Sequence, residues 1–377
     1  MSGYDKETIM TEDKKQYFEL QRLNIPLTSI DPAQPRQFVV RDIDLSIEKG
    51  EILGIVGPTG CGKTMLLKAA AGLIKPVQGK VMKDGTDITG FEPSKRGMSM
   101  VFQDYVLYPH MTSKKNILFP FLSKGGFEVS PDVRLDEIAR LLHITEEKIL
   151  ERRPRKISGG ERQRVAIGKA ISVLPDLILL DEPLSNIEEN LRNEIRHALK
   201  KLIKENGVTA IYVSHNQVEI AEIADRIAVM YQGRIEQTDT YLNLYENPLR
   251  YFVSLFIGEK TTNFLRGEEA AEATGGRIHY TLTIRPHECT LAETPDSIRI
   301  TGKVAIIENL LHEHKKIAYV EREGVKAFDN EFAMGELFGV ELPIDYKIKK
   351  QEEITIYIPL SSAKFFGDTG ERIYNLW

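Results

Sequence analysis

Ile52-Leu53-Gly54-Ile55-Val56-Gly57-Pro58-Thr59-Gly60-Cys61-Gly62-Lys63-Thr64 is the stretch on which the fold turns. Its first five residues are almost wholly apolar, the pattern of a strand buried on both faces of a parallel sheet. The eight that follow fit the P-loop pattern, with two glycines and then Lys-Thr. The glycines let the backbone curl so that successive N–H groups face phosphate oxygens. Residues 65–71 then read as a helix, whose positive dipole end strengthens an anion site. Lys63 is spaced to reach the β- and γ-phosphates and Thr64 to ligate Mg²⁺. A Gly-rich turn can arise by chance, but strand before and helix after give this one the context of a nucleotide site.

Outward from it the alternation persists. Residues 17–23 and 39–47 read as strands, separated by a loop over 28–36 that holds Pro32 and Pro35. Residues 177–180 form another buried strand. Residues 188–204 follow as a helix with Leu191, Ile195, Leu199 and Leu202 on one face, and 210–213 as a third buried strand. Strand and helix in turn build a parallel sheet with helices against it. From about 90 to 165 the chain reads mainly as loops and helices, 136–142 being the clearest helix. After Pro248 the texture changes. Ile278, Tyr280, Leu282 and Ile284 alternate with polar residues, and so do Ile354, Ile356 and Ile358. Half-buried antiparallel strands have that pattern. A separate, mostly β, C-terminal domain is expected, entered through a helical connection over 241–256.

With 377 residues the chain has room for two or three domains. Its 50 Lys+Arg against 55 Asp+Glu give a formal charge of −5, which argues against a nucleic-acid binder relying on bulk positive charge. An apolar content of 42% argues against disorder. Cys61 and Cys289 are too few for a disulfide framework, so a reducing compartment is expected. No run approaches the roughly 18 consecutive apolar residues of a membrane span. Residues 1–16 read as a flexible charged leader without a signal-peptide apolar region.

Two further blocks carry chemistry. Ile178-Leu179-Leu180-Asp181-Glu182-Pro183 runs a buried strand into two acids, at the strand end where open α/β sheets bind ligands. Asp181 can hold Mg²⁺, directly or through water. Glu182 can polarise the water that attacks a γ-phosphate. Alone, the pair reads equally well as a solvated acidic loop. Ile157-Ser158-Gly159-Gly160-Glu161 precedes helical spacing, with Ala166, Ala170 and Val173 on one side and Ile167, Ile171 and Leu174 beside them. Ser158 is an N-cap candidate, and alone this block is only a helix-capping turn.

Together the three blocks, in this order, resemble the ATP-binding cassette (ABC) ATPase family. The resemblance implies an α/β fold, an ABC-type P-loop ATPase core with a helical subdomain, followed by a C-terminal all-β OB-like domain of the TOBE type. The ATPase domain would cover 17–245, its helical subdomain about 104–170, and a regulatory OB-like domain 246–377. The implied ATP site is composite. Gly57, Pro58, Thr59, Gly60, Cys61, Gly62, Lys63, Thr64 and Met65 surround the phosphates. Ser158, Gly159, Gly160 and Glu161 would complete the site of a second cassette docked head to tail. Gln103, in Met100-Val101-Phe102-Gln103, matches the Q-loop glutamine that senses Mg²⁺ or water and couples to a membrane partner. His215, in Tyr212-Val213-Ser214-His215, matches the switch histidine that contacts the γ-phosphate. Catalysis would then rest on Glu182, His215, Gln103 and Lys63, with Thr64, Gln103 and Asp181 toward the metal. ATP and Mg²⁺ are the implied cofactors.

The likeness extends further. Residues 162–168 and 181–186, Phe256-Ile257-Gly258, Thr262-Asn263-Phe264-Leu265 and Ile284-Arg285-Pro286 look like the importer branch that serves maltose and related carbohydrates. It covers about 38–377. It implies the ATP-hydrolysing subunit of an importer for a small solute, a carbohydrate, polyol or glycerol phosphate, peripheral on the cytoplasmic face of the cell membrane. The implied partners are a second ABC ATPase subunit, identical or paralogous, two transmembrane permease subunits and, through the complex, an extracytoplasmic solute-binding protein, with no nucleic acid.

The chain also departs from that family. The segment between Pro26 and Phe38 is longer than usual, and no aromatic residue stands at the spacing for stacking on adenine, Phe38 being the nearest candidate. Met65 replaces a Ser or Thr, Glu188 replaces the Asp of the D-loop, and Asn216 replaces a common Asp after the switch histidine. These departures suggest pairing with a different ATPase chain and two unequal sites. Two rival readings stand beside the importer. One is a soluble ABC protein acting on nucleic acid or ribosomes, against which a single cassette and a negative charge count. The other is a binding module whose C-terminal domain captures a regulator.

Overall fold

The structure, a computed structural model, describes residues 16–27, 38–124, 129–145, 147–258, 261–321 and 337–374. The leader expected over 1–16 lies outside them except for Gln16, which already opens a strand, and the loop expected over 28–36 lies outside them altogether. The chain forms two compact units, Met1–Ile235 and Glu236–Trp377. The division falls within the strand Arg234–Asp239, earlier than the 245/246 boundary drawn from the sequence.

In the first unit a six-stranded sheet has the order Arg234–Asp239, Arg226–Tyr231, Ile52–Val56, Thr209–Val213, Leu177–Asp181, Met98–Val101. Ile52–Val56 pairs in parallel with both of its neighbours, and all five of its residues are buried, as its apolar run requires. An antiparallel sheet, Phe38–Glu48, Gln16–Pro26, Gln78–Lys83 and Thr86–Asp87, lies over it. Phe18, Leu20 and Ile43 of that sheet share one apolar cluster with Leu53, Ile55 and Leu66 and Leu67 of the helix Lys63–Ala70. The P-loop therefore springs from a fully buried strand, between two layers that share one apolar cluster.

Residues 90–165 hold more than the loops and helices expected. Met98–Val101 is a strand, paired in parallel with Leu177–Asp181. Its sequence, Met-Ser-Met-Val, has one β-branched residue, so propensity gave no sign of it. The helix expected over 136–142 begins earlier, as Pro131–Leu141. Ser130 caps it through the Val133 N–H and Pro131 supplies a preset φ at the first helical position. Gly159–Ile171 packs against it so closely that a Cβ on Gly168 would sit 2.9 Å from Ile138 Cγ2.

The second unit is antiparallel, in agreement with an OB-like domain. One sheet orders Asn263–Leu265, Thr281–Ile284, Lys364–Phe366 and Arg372–Ile373; the other orders Leu337–Pro343, Lys315–Glu321, Ser297–Leu310 and Glu353–Pro359. Ile356 and Ile358 pair with Ile300 and Ile298 and are fully buried. The alternation over 278–284 is only half a strand: Ile278 and Tyr280 precede Thr281–Ile284, following a helix, Gly267–Ala273, that the sequence reading did not separate out. The helical connection over 241–256 is two helices, Tyr241–Glu246 and Tyr251–Phe256. Pro248 explains the break, since it has no N–H to donate and disfavours helical geometry at the residue before it.

Candidate active site

The parallel strands bring the chemistry-bearing residues to one edge of the sheet. Lys63 and Thr64 follow Ile52–Val56, Asp181 ends Leu177–Asp181 with Glu182 next, and His215 follows Thr209–Val213. Register does the assembly. Asp181 pairs with Val213, and Val101 with Leu180, so His215, Glu182 and the turn bearing Gln103 leave three adjacent strands at the same level.

The P-loop is shaped by what its glycines permit. A Cβ on Gly57 would lie 2.1 Å from the Met230 carbonyl oxygen, so only glycine lets the loop leave its strand there. Gly62, at φ +110, is the N-cap of the helix Lys63–Ala70. Gly60 has open space where its side chain would be, and Thr59 and Gly60 are exposed, so this part of the cradle faces outward. The Lys63 ammonium is buried and donates to the carbonyls of Gly57 at 2.7 Å and Pro58 at 2.9 Å. Its position over the loop is where a phosphate would exchange those carbonyls for charged oxygens. Cys61 is buried beside it, and burial pushes its thiol pKa up despite the nearby ammonium. Met65 is half-buried and packs on the core.

Asp181 is 1% exposed. The Thr64 hydroxyl donates to its Oδ1 at 3.2 Å, while Oδ2 is buried with no partner. Burial pushes its carboxyl above the usual range, with the Glu182 charge adding to the shift. A buried carboxylate oxygen without a donor, beside a hydroxyl, is a donor set that could hold a hard divalent cation. Among the described residues no group of three or more His, Cys, Asp or Glu forms a metal cage. Any cation here would need further oxygens, from a ligand or from water.

Glu182 is half-buried, and its Oε1 lies 3.1 Å from Nδ1 of His215, which is largely exposed. The pair brings a carboxylate and an imidazole together, two groups that can hold and deprotonate a water. Gln103 is exposed on the turn after Met98–Val101.

Ser158 is the N-cap that its sequence suggested. Its hydroxyl accepts from the Glu161 N–H at 3.2 Å, and its own N–H donates to Glu161 Oε2 at 2.7 Å, a full capping box. That N–H holds the Glu161 carboxyl below its ordinary range. Among the described residues no hydrogen bond joins the 158–161 turn to the P-loop, so the structure does not gather these two blocks into one site within the chain. The turn leans instead on the loop after Glu182: a Cβ on Gly160 would meet Asn186 O at 3.0 Å. Of the departures, Asn216 caps the helix Gln217–Ile223 by accepting from the Glu219 N–H, as an Asp would. Glu188 occupies the N-cap of Glu189–Glu205 without a side-chain cap bond.

Sequence reasoning passed over Gln163. It is fully buried and bonds the loop carrying Glu182. A signal was present: Gln163 stands three, four and seven residues before Ala166, Ile167 and Ala170, a polar side chain on the apolar face.

The chain resembles known proteins in both sequence and structure. The family model described as ABC transporter matches residues 40–185. The chain is 35% identical over 354 residues to the sn-glycerol-3-phosphate import ATP-binding protein UgpC of Vibrio cholerae, covering 88% of this chain and 90% of that protein. It is 36% identical over 343 residues to UgpC of Rhizobium meliloti, covering 89% and 95%. The lactose transport ATP-binding protein LacK of Rhizobium radiobacter is 40% identical over 262 residues, covering 70% and 72%. Among solved structures, the dimeric structure of MJ0796, a bacterial ABC transporter cassette, superimposes with a TM-score of 0.53 at 27% identity, covering 59% of this chain and 98% of that one. A post-hydrolysis state of the same cassette bound to ADP and Pi gives 0.54 at 27% identity, with the same coverage. The P-loop, the acidic strand end and the fold around them thus meet in one assignment: the chain belongs to the ABC transporter family, among its ATP-binding proteins, which hydrolyse ATP to drive transport.

Proposed function

We propose that this chain is the energising subunit of an importer for a small solute, a carbohydrate, polyol or glycerol phosphate. The observation that carries the reading is the meeting of Lys63, Thr64, Asp181, Glu182 and His215 at one sheet edge, in a chain whose likeness to import ATP-binding proteins runs through both units. Lys63 and the P-loop amides bind the phosphates. Thr64 and Asp181, with Gln103, hold Mg²⁺, which neutralises phosphate charge when bound. Glu182 orients and deprotonates the attacking water, and His215 contacts the γ-phosphate and steadies the Glu182 carboxylate. Ser158–Glu161 completes the site of a second ATPase subunit docked head to tail, identical or paralogous. ATP binding and hydrolysis close and reopen that dimer, and the cycle biases two permease subunits between conformations of different solute affinity.

Among the described residues no helix is long and apolar enough to cross a membrane; in this reading contact with the bilayer runs through the permease subunits. The subunit sits peripherally on the cytoplasmic face, and an extracytoplasmic solute-binding protein delivers the cargo. The reading is tested by affinity purification of the chain from detergent-solubilised membranes, with every co-purifying subunit identified and counted. Two permease chains with two copies of this chain support a symmetric importer, and a second ATPase chain supports unequal sites. Absence of any membrane partner refutes the importer. Glu182→Gln tests the chemistry: turnover should fall by about 10²-fold or more with ATP binding retained, and near-normal turnover would sink the base assignment.

A further inference from the structure

Gln163 uses its whole amide on the loop that carries Glu182. Its Nε2 donates to the Glu182 carbonyl oxygen at 3.0 Å, and its Oε1 accepts from the Asn186 N–H at 3.0 Å. The Ser185 hydroxyl donates to the same Glu182 carbonyl at 3.2 Å. On the other side of the residue, the Glu182 N–H donates to the Val213 carbonyl at 2.9 Å. Glu182 therefore has its main chain held at both ends, and it needs to be, because its φ is +47, in the left-handed region that costs a residue with a side chain. Such a conformation persists only where the surroundings over-determine it, and it is characteristic of functional sites.

We propose that Gln163 is a positioning residue: it aims the Glu182 carboxylate by fastening the main chain of that loop to the helix Gly159–Ile171. The proposal rests on Glu182 being the base of the reaction. The chemistry of the amide suits the task. One side chain must both donate to a carbonyl and accept from an N–H, which glutamine does and neither leucine nor an ionised glutamate can. The helix so fastened begins at the Ser158–Glu161 turn. A rotation of that helix, imposed when the turn meets the second subunit's nucleotide, is passed to this chain's own Glu182 through one buried side chain.

The test uses the full chain and steady-state ATP hydrolysis, with nucleotide affinity measured separately on the same preparations. Gln163→Leu removes both bonds, and Gln163→Glu keeps the acceptor while losing the donor. Misaiming a reacting group by an ångström costs on the order of 10²-fold in rate, so kcat should fall about 10- to 100-fold in both variants. KM and ATP affinity should stay within about twofold, because the phosphate cradle is untouched. Gln163→Glu should recover part of its kcat as the pH is lowered, since the protonated carboxyl regains an O–H to donate to the Glu182 carbonyl. A kcat within about twofold of the parent in Gln163→Leu, or in Gln163→Glu across the whole pH range, overturns the proposal, and so does a kcat that falls in step with ATP affinity. If Gln163→Leu does not fold, Gln163→Glu and its pH profile decide. Glu182→Gln run in parallel separates the two readings. Slow turnover there with unaffected Gln163 variants refutes positioning alone. Fast turnover there leaves no base to position and removes both.

Discussion

Gly57→Ala places a methyl group where the P-loop leaves its strand. The new Cβ would stand 2.1 Å from the Met230 carbonyl oxygen and 2.9 Å from the Cys61 sulfur. Ordinary contact lies near 3.5 Å, so more than about 1 Å must open. Met230 cannot supply it. Its strand, Arg226–Tyr231, is in register with Ile52–Val56 at Ala228 and Val229 and is flanked on its other side by Arg234–Asp239. The loop must move instead, at an overpacking cost of about 1–3 kcal/mol. A shift of that size misplaces the amides and Lys63, which is expected to lower kcat by on the order of 10²-fold and to weaken ATP binding with it. Titration calorimetry with a non-hydrolysable ATP analogue, steady-state hydrolysis and thermal unfolding measure the three effects. Affinity and kcat both within about twofold of the parent, at unchanged stability, would refute the claim that this close approach shapes the phosphate cradle.

Two further substitutions probe the site from other directions. Burial holds the Asp181 carboxyl above its ordinary range, so its ionisation opposes folding. That penalty is present at neutral pH and fades as pH falls through the raised folded-state value toward the ordinary one. Asp181→Asn, in buffer free of metal and nucleotide, should therefore be at least as stable as the parent at pH 8. Its advantage should shrink toward acid pH, while Mg²⁺-dependent hydrolysis is lost. A variant less stable at pH 8, or a difference that ignores pH in thermal melts, contradicts this. Glu188 sits at an N-cap with no cap bond. Glu188→Asp shortens the side chain to capping length and should add about 0.5–1 kcal/mol, seen as a higher unfolding midpoint; an unchanged or lower midpoint argues that the helix end is satisfied otherwise.

The amino-acid sequence by itself determined the proposed phosphate cradle. Strand, Gly-rich turn and helix are neighbours along the chain, and the apolar run, the glycine spacing and Lys63-Thr64 encode them locally. The Ser158 N-cap was legible for the same reason, since the N–H it caps lies three residues on; the return bond to Glu161 was added by the structure. The antiparallel second unit showed itself through the alternation at 354–358, though not at 278–280, where burial follows loop packing and not the pleat.

Tertiary structure decided what depends on register. Nothing near Glu182 in the chain names His215 as its neighbour; the parallel pairing of Asp181 with Val213 does. Met98–Val101 is a strand because Leu177–Asp181 offers it an edge, against its own weak propensity. The unpartnered Oδ2 of Asp181 exists only because the sheet buries the strand end that carries it. Gln163 is the sharpest case. From the sequence it is one polar residue among several after a capping turn, and its two bonds to residues 182 and 186 appear only when helix and strand are packed together. Local spacing writes the groups proposed to bind phosphate, whereas the aim of the groups that would act on it is set by contacts between residues far apart in the chain, which sequence order does not display.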